Sequence, residues 1–208
     1  MSIGILGNKI GMTQIFDKKG EIIPVTVIQS GPCYITQIKS NENCGYNAIQ
    51  LGYKEMKPSH RKIKKPNLGH FMKSGLPPFQ YVKEYRTNQI EKYEVGQQLS
   101  IELFEIGQQI NITGLTIGKG NTSNIKRNNF GRGPMSHGSK HHRLQGSLGA
   151  GSTPGRVFPG KKMPGRVGTT KCTIKNLEII DINTSKNLIV VRGCVPGKAG
   201  NLISMNIN

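Results

Sequence analysis

The sequence predicts a mainly β protein: a barrel-like β domain, discontinuous along the chain, with a long basic Gly-rich loop extension and a few short helices. Three observations carry that expectation. Short runs rich in Val, Ile, Thr and Tyr, bounded by Gly, Pro, Asn or Ser, occupy both ends of the 208-residue chain. Between them, residues 118–168 are dominated by Gly, Ser, Pro, Asn and His, and apolar residues recur there at neither the strand nor the helix period. Only two short stretches carry helix start and stop signals. The expected division is therefore a β domain of residues 1–117 and 172–208, a basic, partly helical insertion within it at about 54–92, and an extended loop of residues 118–171.

Taken in chain order, strands are expected over Ile22–Ile28, Tyr34–Ile38, Tyr46–Tyr53, Leu99–Leu103 and Gln109–Thr113. After the loop, Thr173–Ile182 and Leu188–Arg192 read as a β-hairpin joined across residues 183–187. One short helix is expected over Leu68–Lys73, after Pro66 and before Gly75. A second is expected over Ser123–Asn128, with Asn121 or Thr122 as its N-cap. Neither is long enough to build a helical layer. The best apolar stretch, Glu21–Ile28, is interrupted by Pro24 and falls far short of the roughly 20 residues that span a bilayer, so no membrane partner is expected.

Charge is the strongest functional signal. The chain has 29 Lys and Arg against 11 Asp and Glu, a formal charge of +18. A compact state so charged repels itself and is best accommodated where a polyanion neutralises it. The excess is also segregated. Residues 106–177 contain no Asp or Glu but hold Lys119, Lys126, Arg127, Arg132, Lys140, Arg143, Arg156, Lys161, Lys162, Arg166, Lys171 and Lys175. A second basic cluster, Lys54, Lys57, Arg61, Lys62, Lys64 and Lys65, is opposed only by Glu55. These two groups are the candidate phosphate-facing patches, and Phe130, Met135, Leu144, Leu148, Phe158 and Met163 are spaced through the loop as anchors of a segment that orders on a partner.

Other chemistries find little support. Gly155–Lys162 nearly matches the phosphate-loop pattern, but Lys162 replaces the hydroxyl residue that would hold Mg²⁺, no strand precedes Gly155, and Pro164 follows closely. His137 and His141 have the spacing of a helical metal pair, yet Gly138 and Ser139 argue against a helix, no carboxylate is near, and Lys140 and Arg143 would repel a cation. Together with His142 they are read as RNA contacts. The cysteines at 33, 44, 172 and 194 form no C-x-x-C pair and read as free thiols. No catalytic residue, metal, cofactor or small-molecule substrate is expected. Crowded cations, glycines that permit close backbone approach, and rings for stacking suit compact structured RNA. Duplex DNA is the rival, but no helix is long enough to enter a major groove and no zinc-finger or basic-zipper pattern is present.

Over essentially its whole length the chain resembles the universal large-subunit ribosomal protein number three family. The stretches are "GILGNKIGMTQIFD", "IPVTVIQSGPC", "GYNAIQLGY", "KPNLGHFMKSG" and "YEVGQQLSIELF", then "GKGNTSNIKRNNF", "RGPMSHGSKHHR" and "GSTPGRVFPGKKMPGRVG" in the loop, and "NLIVVRGCVPGKAG" in the tail. The resemblance implies a discontinuous β-barrel of the translation-protein kind on the outside of the large subunit, with the loop threading inward through rRNA toward the peptidyl transferase centre. It implies direct binding near the 3′ end of 23S-type rRNA early in assembly, with neighbouring large-subunit ribosomal proteins packed on the outer domain.

Carried over by position, the inward tip is about Leu144–Pro154, with Gly149, Ala150, Gly151, Ser152, Thr153 and Pro154 nearest the centre and Arg143, Arg156, Lys161, Lys162 and Arg166 on its stems. Bacterial members of that family commonly have Gln in the tip, a methylation target. Residues 148–153 contain none, so no such modification is expected. The details "QSGPC", "RGPMSHGSK" and "GAGSTPGRV" are most similar to cyanobacterial and plastid members. Lys outnumbers Arg by 21 to 8, Ile and Asn are abundant, and the N-terminus resembles neither a secretory signal nor a presequence. A plastid-encoded ribosomal protein is therefore expected, with a cyanobacterial one as the alternative.

Overall fold

The computed structural model describes residues 4–56 and 63–207. The first strands are β1 (Gly4–Phe16), β2 (Ile22–Ser30) and β3 (Cys33–Lys39), followed by the single turn α1 (Asn41–Cys44), β4 (Ala48–Glu55) and α2 (Lys65–Lys73). Then come β5 (Phe79–Arg86), β6 (Gln98–Leu99), β7 (Gln109–Leu115), β8 (Gly120–Thr122), α3 (Asn124–Asn128) and β9 (Gly165–Val167). The chain ends with β10 (Lys171–Asn183), β11 (Leu188–Arg192) and β12 (Leu202–Ile207). Two compact units result, one of Met1–Leu115 with Lys171–Asn208, the other of Thr116–Thr170.

The first unit is built on a closed antiparallel barrel in the order β1-β12-β7-β10-β11-β2. Closure leaves no unpaired strand edge to template aggregation. Strand β7 shows the period-two logic: Ile110, Ile112 and Gly114 are buried, while the residues between them are less so. Lys171 pairs with Leu115, so the interrupting segment leaves and re-enters the barrel at neighbouring strands. A second sheet, β5-β4-β3-β6, shares one apolar core with the barrel, in which Ile5, Ile28, Ile35, Ile49, Leu51, Ile112, Ile179 and Met205 are fully buried. Over this sheet Phe71 of α2 meets Phe79 edge-on at 5.7 Å between ring centroids, and Phe79 stacks on Tyr34 at 5.4 Å. Phe79 lies directly over Gly52, where a Cβ would fall 2.4 Å from its ring, so only glycine fits there.

Several expectations shift. The strand expected over Leu99–Leu103 is only Gln98–Leu99, because Ser100 Oγ accepts the Glu102 N–H and starts a 3-10 turn over Ile101–Leu103. The first helix begins at Lys65 rather than Leu68, with Pro66 in the first turn, where its missing N–H costs nothing. The N-cap of α3 is Ser123; Asn121 and Thr122 belong to β8. Strands β5 and β12 were not expected from the residues. Of these, β5 lies inside the stretch taken as a basic insertion and pairs along β4 from Phe79 to Arg86.

A buried cation braces the barrel. Lys9, 8% exposed, sends Nζ to the carbonyls of Val195 at 2.8 Å and Gly197 at 3.1 Å, anchoring the turn before β12 to β1. Lys9→Met leaves those carbonyls without their donor, and a loss of roughly 1–3 kcal/mol in unfolding free energy is expected, read as a lower urea midpoint at unchanged slope.

Burial pushes the Cys33 thiol, whose S–H donates to the Leu6 carbonyl, up to about 12, and pushes Tyr53 up to about 12 as well. In the unfolded chain the thiol ionises near 9.0, so above that pH the unfolded state binds fewer protons than the folded one. The contribution is complete below pH 9 and is lost as pH rises from about 9 to about 12. Cys33→Ala is expected to flatten the alkaline fall in stability, measured by chemical denaturation across that range. A thiol reagent at neutral pH should label exposed Cys44 and Cys194 at once and Cys33 only on unfolding.

Candidate nucleic-acid interface

The second unit is held together by polar contacts in place of an apolar core. Its base is the β8–β9 ladder, Gly120↔Val167 to Thr122↔Gly165. Asn124, 2% exposed, donates from Nδ2 to the Lys162 carbonyl at 3.1 Å and accepts from Asn128 Nδ2 at 2.8 Å. Asn128 and Arg127 Nη1 both donate to the Met163 carbonyl, at 3.3 and 3.1 Å. Small amides thus tie α3 to the strand entering β9, a task that apolar side chains perform elsewhere. Farther along, Gly133 donates its N–H to the His142 carbonyl at 3.0 Å, and a Cβ on it would collide with His141's carbonyl oxygen. His142 Nδ1 lies 2.9 Å from the Pro134 carbonyl.

Lys119, Lys126, Arg127, Arg132, Lys140, Arg143, Arg156, Lys161, Lys162 and Arg166 all belong to this unit and all are exposed, with no carboxylate anywhere among its residues. Among the described residues the ion pairs are Lys39–Glu84 and Arg192–Glu178, both in the other unit. Ten cations on one acid-free surface create a strongly positive field. Rings are interleaved: Phe158 is 60% exposed with the Arg156 guanidinium 5.9 Å from its centroid, and His137 and His141 are exposed as well. The anchor residues Met135, Leu144 and Leu148 also face outward.

At the tip, residues 149–153 are exposed and Pro154 is half-buried. Gly149 has φ +137°, a conformation that favours glycine, and its N–H is held by Ser147 Oγ at 3.2 Å. Gly151 shows no such constraint and has nothing within 4 Å of an added Cβ. The Gly155–Lys162 stretch runs through turns into the extended approach to β9, without the strand before or the helix after that a phosphate loop requires.

The remaining sequence candidates lie in the first unit or outside the described residues. Lys54, Lys64, Lys65 and Lys171 are exposed on the first unit; Lys57, Arg61 and Lys62 lie outside the described residues. Lys54 sits at φ +60° at the end of β4. Lys171 flanks a cavity of about 300 Å³ lined also by Lys83, Leu115 and Ile203, and the Lys83 ammonium is held below its ordinary value by burial and then by repulsion from Lys171. Sequence reasoning overlooked Asn124 and Asn128, because nothing local distinguishes a structural amide from a solvated one. Arg127, selected for its charge, also serves as a brace.

The family model described as Ribosomal protein L3 matches residues 80–206. The chain belongs to this family. Among its curated relatives, "Large ribosomal subunit protein uL3" of Trichormus variabilis is 53% identical over 205 residues, covering 99% of this chain and 96% of the relative. "Large ribosomal subunit protein uL3c" of Porphyra purpurea is 55% identical over 206 residues, covering 99% and 100%, and the uL3c protein of Phaeodactylum tricornutum is 53% identical over 205 residues, covering 99% and 98%. The matched spans cover 99% of this chain and so take in both units.

Proposed function

We propose that this protein is a structural constituent of the large subunit of a plastid ribosome, or of a cyanobacterial one, and binds 23S-type rRNA through the Thr116–Thr170 unit. The observation that carries the reading is the set of ten exposed cations in a unit without one carboxylate. Phosphate neutralisation there releases counterions, while exposed Phe158 and the histidines offer stacking surfaces to unpaired bases. Polar bracing by Asn124 and Asn128 suits an element destined for burial in RNA, where an apolar core would have no room.

In the finer reading, which follows the family resemblance, the protein binds near the 3′ end of the rRNA, helps nucleate subunit assembly, and directs Gly149–Pro154 toward the peptidyl transferase centre. Lys54, Lys57, Arg61, Lys62, Lys64, Lys65 and Lys171 add phosphate contacts from the first unit, and neighbouring ribosomal proteins pack on the barrel domain. The protein performs no chemistry of its own in this reading. Cosedimentation with the large subunit through a high-salt wash tests it, since loosely held basic proteins are stripped as counterions return. Retention is expected; release at the first wash would overturn the proposal.

A further inference from the structure

The first unit holds a cavity of about 300 Å³ walled by Leu6, Leu115, Leu202 and Ile203, with Lys83 of β5 and Lys171 of β10 as its charged lining residues. Leu115 is half exposed at its mouth, and Ile203 is buried in its wall. No carboxylate lines the cavity, and neither lysine enters an ion pair among the described residues. The Lys83 ammonium instead rests 5.2 Å from the Tyr85 ring centroid. The hydroxyl and amide side chains of the lining are already engaged. Thr113 Oγ1 meets Thr173 Oγ1 at 2.9 Å, the Asn201 amide donates to the Leu115 carbonyl at 2.9 Å, and Ser204 Oγ meets the Tyr85 hydroxyl at 2.6 Å. Strand β7 is paired along both edges, so its backbone is engaged as well. What remains on offer is chiefly apolar surface and two ammonium groups without a counterion. Burial, then repulsion from Lys171, holds Lys83 below its ordinary value, and a seated anion would relieve both.

We propose that this cavity docks a segment of a neighbouring ribosomal protein, which inserts one apolar side chain between Leu115, Leu202 and Ile203 and sets an adjacent carboxylate between Lys83 and Lys171. The inference rests on the reading that other ribosomal proteins pack on this unit, and it names what one of them presents. Charge complementarity selects the carboxylate, because the lining carries two cations and no acid. The walls select the apolar neighbour: an apolar centre with charge at its rim is the composition of a protein interface. RNA fits less well. A phosphate would answer the lysines and leave the apolar walls bare, whereas a ribose or base laid against those walls brings hydroxyls and ring edges that find few partners there.

The test is zero-length coupling in salt-washed large subunits that carry the full chain. A water-soluble carbodiimide joins a lysine amine to a carboxylate in contact with it, with loss of water, and leaves the internal phosphodiesters of RNA unjoined. Peptide mass spectrometry then reads the partners of Lys83 and Lys171. An isopeptide to an Asp, Glu or C-terminal carboxylate of another ribosomal protein, with an apolar residue beside it, is expected. Lys83→Glu sets a like charge in the cavity and should cut the yield at Lys171 by about tenfold or more. Were Lys83→Glu absent from the subunits, Lys83→Met, which keeps an apolar stem and drops the charge, takes its place: a lower yield at Lys171 supports the site and an unchanged yield refutes it. Coupling only within this chain, coupling to a carboxylate with no apolar neighbour, or no coupling at either lysine would overturn the proposal. So would protection of a backbone position of rRNA from hydroxyl radicals that Lys83→Met abolishes, since RNA would then be the occupant. Absence of the wild-type chain from salt-washed subunits would overturn the ribosomal reading itself, whereas its presence without coupling overturns this inference alone.

Discussion

Replacing Lys161 and Lys162 together by Ala is expected to weaken rRNA binding and lower the slope of log affinity against log salt by about two units, somewhat less if the contacted strands are single. Both side chains are exposed and enter no ion pair among the described residues, so their loss removes charge without opening a core. Only the Lys162 carbonyl is used structurally, as acceptor for Asn124, and that group survives the substitution. Filter binding across a salt series measures the slope. An unchanged slope would place both lysines away from phosphate. The same variants bear on the phosphate-loop alternative: ATP hydrolysis by the wild type that vanished with Lys161→Ala would restore it.

The second large effect concerns the barrel. Ile112→Ala should destabilise the first unit by roughly 2–5 kcal/mol, through lost burial and the cavity left behind. Ile112 is fully buried on β7 and stands opposite Ile174 of β10 on one side and Met205 of β12 on the other. The substitution therefore loosens the junction between the two chain segments that the second unit separates. Against a typical total of about 5–15 kcal/mol, such a loss threatens folding outright. Thermal unfolding followed by far-UV circular dichroism is the measurement, and a shift no larger than that of an exposed control such as Ile106→Ala would show that β7 is not part of the core.

Much of the fold was legible because its signals are local. Leu188–Arg192 reads as a strand from β-branched composition alone and is one, and β2, β3 and β4 lie within a few residues of their expected limits. Strand β5 alternates in burial from buried Phe79 to buried Tyr85, but its exposed Val82 and half-buried Lys83 blur that period in the sequence, and it fell within the expected basic insertion. Strand β12 is harder to read: Ile203, Ser204 and Met205 are consecutive and all buried, so period two is absent. The Ser204 hydroxyl is accommodated there by the Tyr85 hydroxyl at 2.6 Å, a partner supplied by a strand far away in the chain.

The sequence by itself determined the segregation of charge and the acid-free character of residues 106–177, and from these the expected class of partner, because like charges crowded there favour a polyanion wherever their side chains point. Tertiary structure alone decided that β12 inserts between β1 and β7 to close the ring, that Lys9 is an internal brace, and that Gln145 carries an unsatisfied oxygen. The physical reason is range. Composition and periodicity are properties of neighbours along the chain, whereas burial and hydrogen-bond satisfaction depend on which distant residues arrive, as Val195 does at Lys9.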